Sequence, residues 1–402
     1  MTSGDKLPKL SLLGLLYTSQ MLGLSFLITA LPAILRELDM GLDKIGWIYA
    51  LGFIWSLKFL WAPLVDRYGL KRYGHYRSWI VICQLLLVGL LVIISCFTIK
   101  DDFMALVVLF AFLPFISATQ DIASDALAVT ILGPYERAVG NAVQTSGNLA
   151  GALFGGGLIL IIYKWFGWQV SLLALAVLTA VPLVGLFAYK EKPAPADVRQ
   201  EKVSYKELVL FFKRSGMWGW VPILLTFGMS NTIAYGLLGP LLVDKGWELD
   251  KIGFYINVVG PALGIVGAVL CGMLANRLRR KPVMLIAMAL TILSMAGLWG
   301  FSEGMMESAM MTGVSIALMM TSYGCSSTIM YTTIMDKSSP DSAGTDFSVQ
   351  MSLSRIPTFV CGGMAMGMAQ SSGYTAVLMC LIAISFISAL MICFYRGLEV
   401  TS

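Results

Sequence analysis

Long apolar runs, separated by short connections that carry most of the charge, repeat from one end of the chain to the other. A helix needs roughly 20 predominantly apolar residues to cross the hydrocarbon core of a bilayer. On that measure the pattern predicts twelve spans, near residues 10–35, 45–65, 78–98, 103–131, 138–162, 168–189, 217–243, 252–276, 282–302, 308–335, 346–369 and 373–396. One connection is much longer than the others. It runs from about Lys190 to Gly216, contains Lys-Pro-Ala-Pro-Ala, and mixes seven basic with four acidic residues, as a linker between two halves does. The predicted organisation is therefore a bundle over 1–189, a linker over 190–216 and a second bundle over 217–402. Within the linker, 203–212 has the pattern of a short helix lying at a membrane surface.

The two halves are copies of each other. Leu42-Asp43-Lys44-Ile45-Gly46 returns unchanged at Leu249-Asp250-Lys251-Ile252-Gly253, 207 positions later. Ala62 to Arg72 has a counterpart in Gly272 to Lys281, and Val143-Gln144 and Gly155-Gly156-Gly157 answer to Val349-Gln350 and Gly362-Gly363. Several matches at nearly one offset mark a duplicated unit and a pseudo-twofold arrangement. The fold class expected is an all-α integral membrane protein of twelve transmembrane helices in two six-helix pseudo-symmetric bundles.

Composition agrees with a membrane protein: 57% of residues are hydrophobic and 13% charged, too few charges for an ordinary soluble surface. The distribution of the 28 Lys and Arg sets orientation. With both termini in the cytoplasm, 20 lie inside, two lie within helices, and six lie outside: Arg36, Lys44, Lys100, Lys164, Lys245 and Lys251. The net charge of +5 thus reports topology, and no nucleic-acid partner is expected. The first span is too long for a signal peptide and lacks a small-residue cleavage site, so it is expected to be retained. The bilayer and a small-molecule substrate are the expected partners, and the chain is expected to act as a monomer.

All seven cysteines fall in predicted spans without a Cys-x-x-Cys pair, which gives neither a disulfide framework nor metal-ligand spacing. His75 is the sole histidine. P-loop, nucleophile-elbow and zincin patterns are absent, so the expectation is a protein with no enzymatic activity, no metal and no cofactor.

Ionisable groups at membrane depth are costly and normally face a partner or a cavity. Lys58 lies in the second span; Asp121 and Asp125 lie in the fourth, four residues apart and hence on one helical face. At about 1.5 Å of rise per residue, Lys58 and Asp121 share a depth. The reading is that Asp121 pairs with Lys58 while Asp125 reaches Arg67 or Arg72; a structural pair and a protonation site for coupled transport both remain open. Arg355 stands near mid-membrane in the eleventh span, where its compensation is Asp121, backbone carbonyls or an anionic substrate. Polar residues recur at matching places in the halves: Thr18, Ser19 and Gln20 against Ser230, Asn231 and Thr232, and Gln144 against Gln350. Gly147, Gly151 and Gly155, and Gly260 with Gly264, form small-residue stripes for close packing.

Asp66-Arg67-Tyr68-Gly69-Leu70-Lys71-Arg72 resembles the cytoplasmic signature of the major facilitator superfamily, Gly-x-x-x-Asp-Arg-x-Gly-Arg-Lys/Arg. Ala62 stands for the opening glycine and Leu70 for the second arginine, and the second copy carries Asn276 in place of the acid. The resemblance implies the major facilitator fold and a cytoplasmic latch made by Asp66, Arg67, Gly69, Lys71 and Arg72, with Asp66 at the positive end of a neighbouring helix and accepting from arginines. It also implies a central cavity lined by helices one, four, seven and ten, which makes Gln20, Gln120, Asn231, Tyr235, Tyr323 and Tyr331 candidate substrate contacts alongside Arg355, Gln144 and Gln350. The fifth span lacks the Gly-Pro of drug/proton exchangers. Two strings, Leu57 to Tyr68 and Ala118 to Val129, resemble the branch that holds muropeptide permeases, acetyl-CoA transporters and siderophore importers of the rhizobactin and pyochelin type. Asp125-Ala126-Leu127-Ala128-Val129 and Ala343-Gly344-Thr345-Asp346-Phe347 lean toward the siderophore importers. The resemblance therefore implies alternating-access symport of a siderophore, iron-loaded or iron-free, across a bacterial inner membrane for iron uptake. Import of cell-wall fragments in the manner of muropeptide permeases, or another proton-coupled carrier, is the alternative.

Overall fold

The structure, a computed structural model, describes residues 6–40, 42–70, 72–99, 102–191, 203–305 and 309–398. Among these residues every regular element is helical. That is the economical solution in lipid, because a helix satisfies its own backbone donors and acceptors within one segment. In chain order the first half holds α1 (Lys6–Ser25), α2 (Leu31–Glu37), α3 (Leu42–Leu51), α4 (Ala62–Arg67), α5 (His75–Ser95), α6 (Phe103–Ile131), α7 (Arg137–Ala152) and α8 (Ile159–Ala188). The second holds α9 (Lys206–Lys213), α10 (Met217–Thr226), α11 (Met229–Asp244), α12 (Leu249–Phe254), α13 (Gly260–Arg277), α14 (Arg280–Ser302), α15 (Ala309–Lys337) and α16 (Ala343–Phe394). The repeated pentad opens α3 in one half and α12 in the other. The short helix expected at 203–212 is α9, and the linker residues 192–202 lie outside the described residues.

Among the described residues eight helical segments are long and apolar enough to span a bilayer. Two of them are double: Arg137–Ala188 has 52 residues and Pro340–Phe394 has 55. Each is broken by a glycine at positive φ, Gly167 at 75° and Gly373 at 82°, a conformation open to glycine and costly for other residues. With α15 and the shorter apolar stretch Gly46–Leu60, the arrangement is consistent with the twelve spans expected.

The second span departs from a plain helix. α3 gives way to a nine-residue 3-10 stretch, Gly52–Leu60, before α4 begins. Pro63 is the second residue of α4; it lacks a backbone N–H and its ring clashes with the carbonyl four residues earlier, so an α-helix running through this point is kinked or broken. Runs of 3-10 helix beyond three or four residues are uncommon and mark functional or strained places; this one carries Lys58. π-helical turns at Phe26–Ala30, Leu153–Leu158 and Tyr255–Val259 break the α pattern elsewhere.

The chain packs as two compact units, one of Met1–Leu132, Gly147–Leu208 and Ser338–Val349, the other of Gly133–Ser146, Val209–Lys337 and Gln350–Ser402. This division follows the sequence halves except at Gly133–Ser146 and Ser338–Val349, each of which packs with the half it does not belong to in sequence. The first unit's apolar core gathers Phe26, Phe110 and aliphatic residues of α1, α5 and α8, with Trp168 against it. The second unit's core is built from Leu237, Leu241, Met295, Met319 and Leu381 with their neighbours. Glycines set the closest approaches. A Cβ on Gly147 would stand 2.9 Å from the Gly14 carbonyl oxygen, and one on Gly155 would collide with that of Leu22. In the second unit Gly324 receives the backbone of Gly264 in the same way. These contacts are what small residues contribute to helix packing in lipid.

Candidate functional site

α6 is apolar at its start and polar through its middle, and Gln120, Asp121, Ser124 and Asp125 are all buried there. Opposite them stand α1, which contributes Tyr17 and Gln20 one turn apart, and the 3-10 stretch with Lys58. The Lys58 ammonium pairs with Asp121 Oδ2 and lies 3.2 Å from Asp125 Oδ2. Gln20 Nε2 donates to Asp121 Oδ1 at 2.5 Å, and Tyr17 donates its hydroxyl to Asp125 Oδ1 at 3.1 Å. Every member is at most 4% exposed. Two carboxylates thus share one lysine in a medium where unpaired charge is expensive, and a single proton on either carboxyl makes the set neutral.

The pairing of Asp125 corrects the sequence reading. Asp125 was expected to reach Arg67 or Arg72; it turns to Lys58 and Tyr17 instead. The arginines stack on their neighbours, Arg67 over Tyr68 at 5.4 Å and Arg72 over Tyr73 at 5.7 Å. Behind the cluster a second polar layer forms. Gln84 donates to Ser19 Oγ at 3.0 Å and to the Thr179 carbonyl at 2.6 Å, and Gln120 donates to Ser19 Oγ at 3.4 Å. Among the described residues the buried amide oxygens of Gln20, Gln84 and Gln120 accept no hydrogen bond from protein.

The Asp66 carboxylate is fully buried at the start of the long helix α16. Oδ1 accepts from Gly344 N at 3.0 Å and from the Tyr76 hydroxyl at 2.9 Å; Oδ2 accepts from Thr345 N and Thr345 Oγ1, both at 2.7 Å. An anion on the first backbone donors of a helix is stabilised by the charge-assisted bonds and by the helix dipole. The arginines expected to serve Asp66 are replaced by these four donors. Gly344 is required by the close approach, since a Cβ there would stand 2.8 Å from Asp66 Oδ1 and 2.9 Å from Ile122. Gly69 has a similar reason, with the His75 ring where its Cβ would be. Lys71 lies outside the described residues. Tyr17, Tyr76, Gly344 and Thr345 were not singled out for these roles; the fixed spacing of Asp66 from a second-half helix start is not visible in one-dimensional pattern.

In the second unit Arg355 donates to the Tyr331 hydroxyl at 3.0 Å. Tyr235 of α11 stacks on Tyr323 of α15, with centroids 6.1 Å apart and planes at 30°. Asn231 Nδ2 has three hydroxyl acceptors within reach of its two N–H groups, Thr291 at 2.9 Å, Ser326 at 3.2 Å and Ser322 at 3.3 Å. It is 2% exposed, so it ties α11 to α14 and α15 and is not a surface contact. Gln350 is likewise consumed: it accepts from Trp220 Nε1 at 2.8 Å and donates to the Ile334 carbonyl at 3.2 Å. Gln144 is buried in α7. An ion-pair group absent from the sequence reading also appears here, Asp336 held by Arg137 at 3.0 Å and by Arg280 at 2.7 Å.

The Major Facilitator Superfamily pattern matches residues 13–362. The chain is 27% identical over 298 residues to the anhydromuropeptide permease of Escherichia coli K12, covering 73% of this chain and 60% of that protein; it spans less than two thirds of that relative's length. It is 22% identical over 287 residues to the protein named transporter AmpG 4 of Rickettsia felis, covering 67% of this chain and 68% of that one. FucP, a Major Facilitator Superfamily transporter crystallised in an outward conformation, has the same fold at 12% identity, with a TM-score of 0.73 over 98% of this chain and 99% of that one. With a helical fold duplicated end to end, buried ionic groups at membrane depth and a family match over most of its length, the chain belongs to the Major Facilitator Superfamily and is a multi-pass membrane transport protein.

Proposed function

We propose that the chain imports cell-wall-derived muropeptides, or closely similar peptide-bearing sugars, across a bacterial inner membrane by alternating access coupled to protons. Both termini face the cytoplasm in this reading, and the two bundles of 1–189 and 217–402 are the moving parts. The observation that carries the coupling is Lys58 shared by Asp121 and Asp125. A cluster with two acids and one base can exchange one proton while passing between a neutral and an anionic set, and such a change in charge biases a two-state carrier. The cargo class is supported by the relatives named anhydromuropeptide permease. The siderophore reading gives way to it: Asp125 to Val129 and Ala343 to Phe347 lean toward siderophore importers, but the relatives that the chain matches over two thirds or more of its length include an anhydromuropeptide permease and an AmpG transporter.

The test is transport in proteoliposomes loaded with a pH-sensitive dye. Addition of an anhydro-muropeptide is expected to acidify the lumen of vesicles carrying wild-type protein and to leave those carrying Asp121→Asn unchanged. Substrate entry with no accompanying proton flux would remove the coupling role from this cluster.

A further inference from the structure

We infer that Tyr235 and Tyr323 form a saccharide-stacking subsite inside the second unit, with Arg355 and Tyr331 placed to take a carboxylate of the same ligand. This rests on the transport reading above and specifies which part of a muropeptide each group meets. Tyr235 is 38% exposed and lies on an accessible stripe of α11 with Thr232 and Gly236. Helix surfaces that meet lipid are lined by long apolar side chains, whereas this stripe is small, polar and aromatic. Among the described residues neither tyrosine hydroxyl has a hydrogen-bond partner in the protein. Both residues sit near the middle of their helices, and a phenol hydroxyl left bare in hydrocarbon is costly. The face is therefore a watered one.

Aromatic rings present flat apolar faces, and a phenol adds a hydroxyl at the rim. A pyranose is the complementary shape: one face of axial C–H groups and an edge of hydroxyls. Tyr331 lies eight residues beyond Tyr323 on α15, about 12 Å along the axis and about 80° around it. A two-ring sugar bearing an acidic substituent can bridge that distance, with its carboxylate at the planar guanidinium of Arg355. Asn231 is a positioning residue. It lies one turn before Tyr235 and bonds Ser322, the residue before Tyr323, so it fixes the two rings from behind.

The test is equilibrium binding to purified protein of three probes: an anhydro-muropeptide, the anhydro-disaccharide without peptide, and the free peptide. Tyr235→Leu and Tyr323→Leu are each expected to weaken disaccharide binding about tenfold, with free-peptide binding unchanged. Tyr323→Phe, which keeps the ring, is expected to lose less. Arg355→Gln is expected to weaken every carboxylate-bearing probe. Unchanged thermal unfolding in the two leucine variants checks that the fold survives, and Asn231→Leu is expected to weaken disaccharide binding without abolishing it. Equal losses for disaccharide and peptide, or none for either, would overturn the subsite. Tyrosine-dependent disaccharide binding in a protein that transports no muropeptide would instead keep the subsite and reject the proposed cargo.

Discussion

Thr345 donates twice to one oxygen of Asp66, through its backbone N–H and through its hydroxyl, each at 2.7 Å and across 279 residues of sequence. The carboxylate thereby caps a helix start that its own neighbours in sequence do not provide. Hydrogen bonds to a charged group are worth about 1.5–3 kcal/mol each, so this contact is a strong bias toward the conformation that contains it. Asp66→Ala is expected to slow transport more than it lowers the amount of inserted protein, and Gly344→Val to do the same by pushing the carboxylate away. Asn276→Ala, at the matching place in the second half, is expected to have a smaller effect, because an amide brings no charge of its own to strengthen its bonds as a carboxylate does. Initial uptake rates normalised to protein level compare the three.

Removing one partner of a buried pair leaves a bare charge and costs about 3–5 kcal/mol, whereas an apolar replacement of both partners can be neutral. Lys58→Met alone is therefore expected to lower thermal stability, and Lys58→Met with Asp121→Leu to recover part of it, with the buried Asp125 carboxyl then held in its neutral form beside Tyr17. If the pair also couples transport, the double variant stays folded and inactive. Recovery of active transport in the double variant would assign the pair to structure alone.

The sequence placed Lys58 beside Asp121 because helix rise fixes depth, and depth was the only geometry needed. It did not place Asp125 or Gln350. The partner of Asp125 depends on how α1 is rotated toward α6, which brings Tyr17 to the second carboxylate, and rotation of one helix about its axis leaves no mark in hydropathy. Gln350 was read as a substrate contact because it repeats Gln144; the same pseudo-symmetry places a polar residue without saying whether a partner such as Trp220 already fills it. The breaks at Gly167 and Gly373 were legible as gaps between apolar runs, but the 3-10 stretch around Lys58 was not, since 3-10 and α-helix share a hydrophobic pattern over so few residues.

Packing glycines offer an internal comparison. Gly155→Ala and Gly324→Ala place a methyl group against a facing backbone carbonyl, whereas Gly363 has nothing within 4 Å of such a group. Overpacking of this kind costs about 1–3 kcal/mol. Thermal unfolding in detergent is expected to show a lowered midpoint for the first two and none for Gly363→Ala.

Asp336 accepts from two arginines, Arg137 and Arg280. Asp336→Asn leaves both guanidiniums facing an amide, and the loss of two charge-assisted bonds is expected to cost about 2 kcal/mol or more. Arg137→Gln removes one bond and is expected to cost less. Unfolding midpoints of the two variants, measured side by side, check the order.

The central claim is that this transporter carries a muropeptide through a path that depends on Lys58, Asp121 and Asp125. Its most direct test is accumulation of radiolabelled anhydro-muropeptide, and separately of a labelled ferric siderophore, in cells lacking the gene and complemented with wild type or Asp121→Asn. Wild type is expected to restore muropeptide accumulation alone, and Asp121→Asn to restore neither. Restored accumulation of the siderophore, with the muropeptide left outside, would contradict the account.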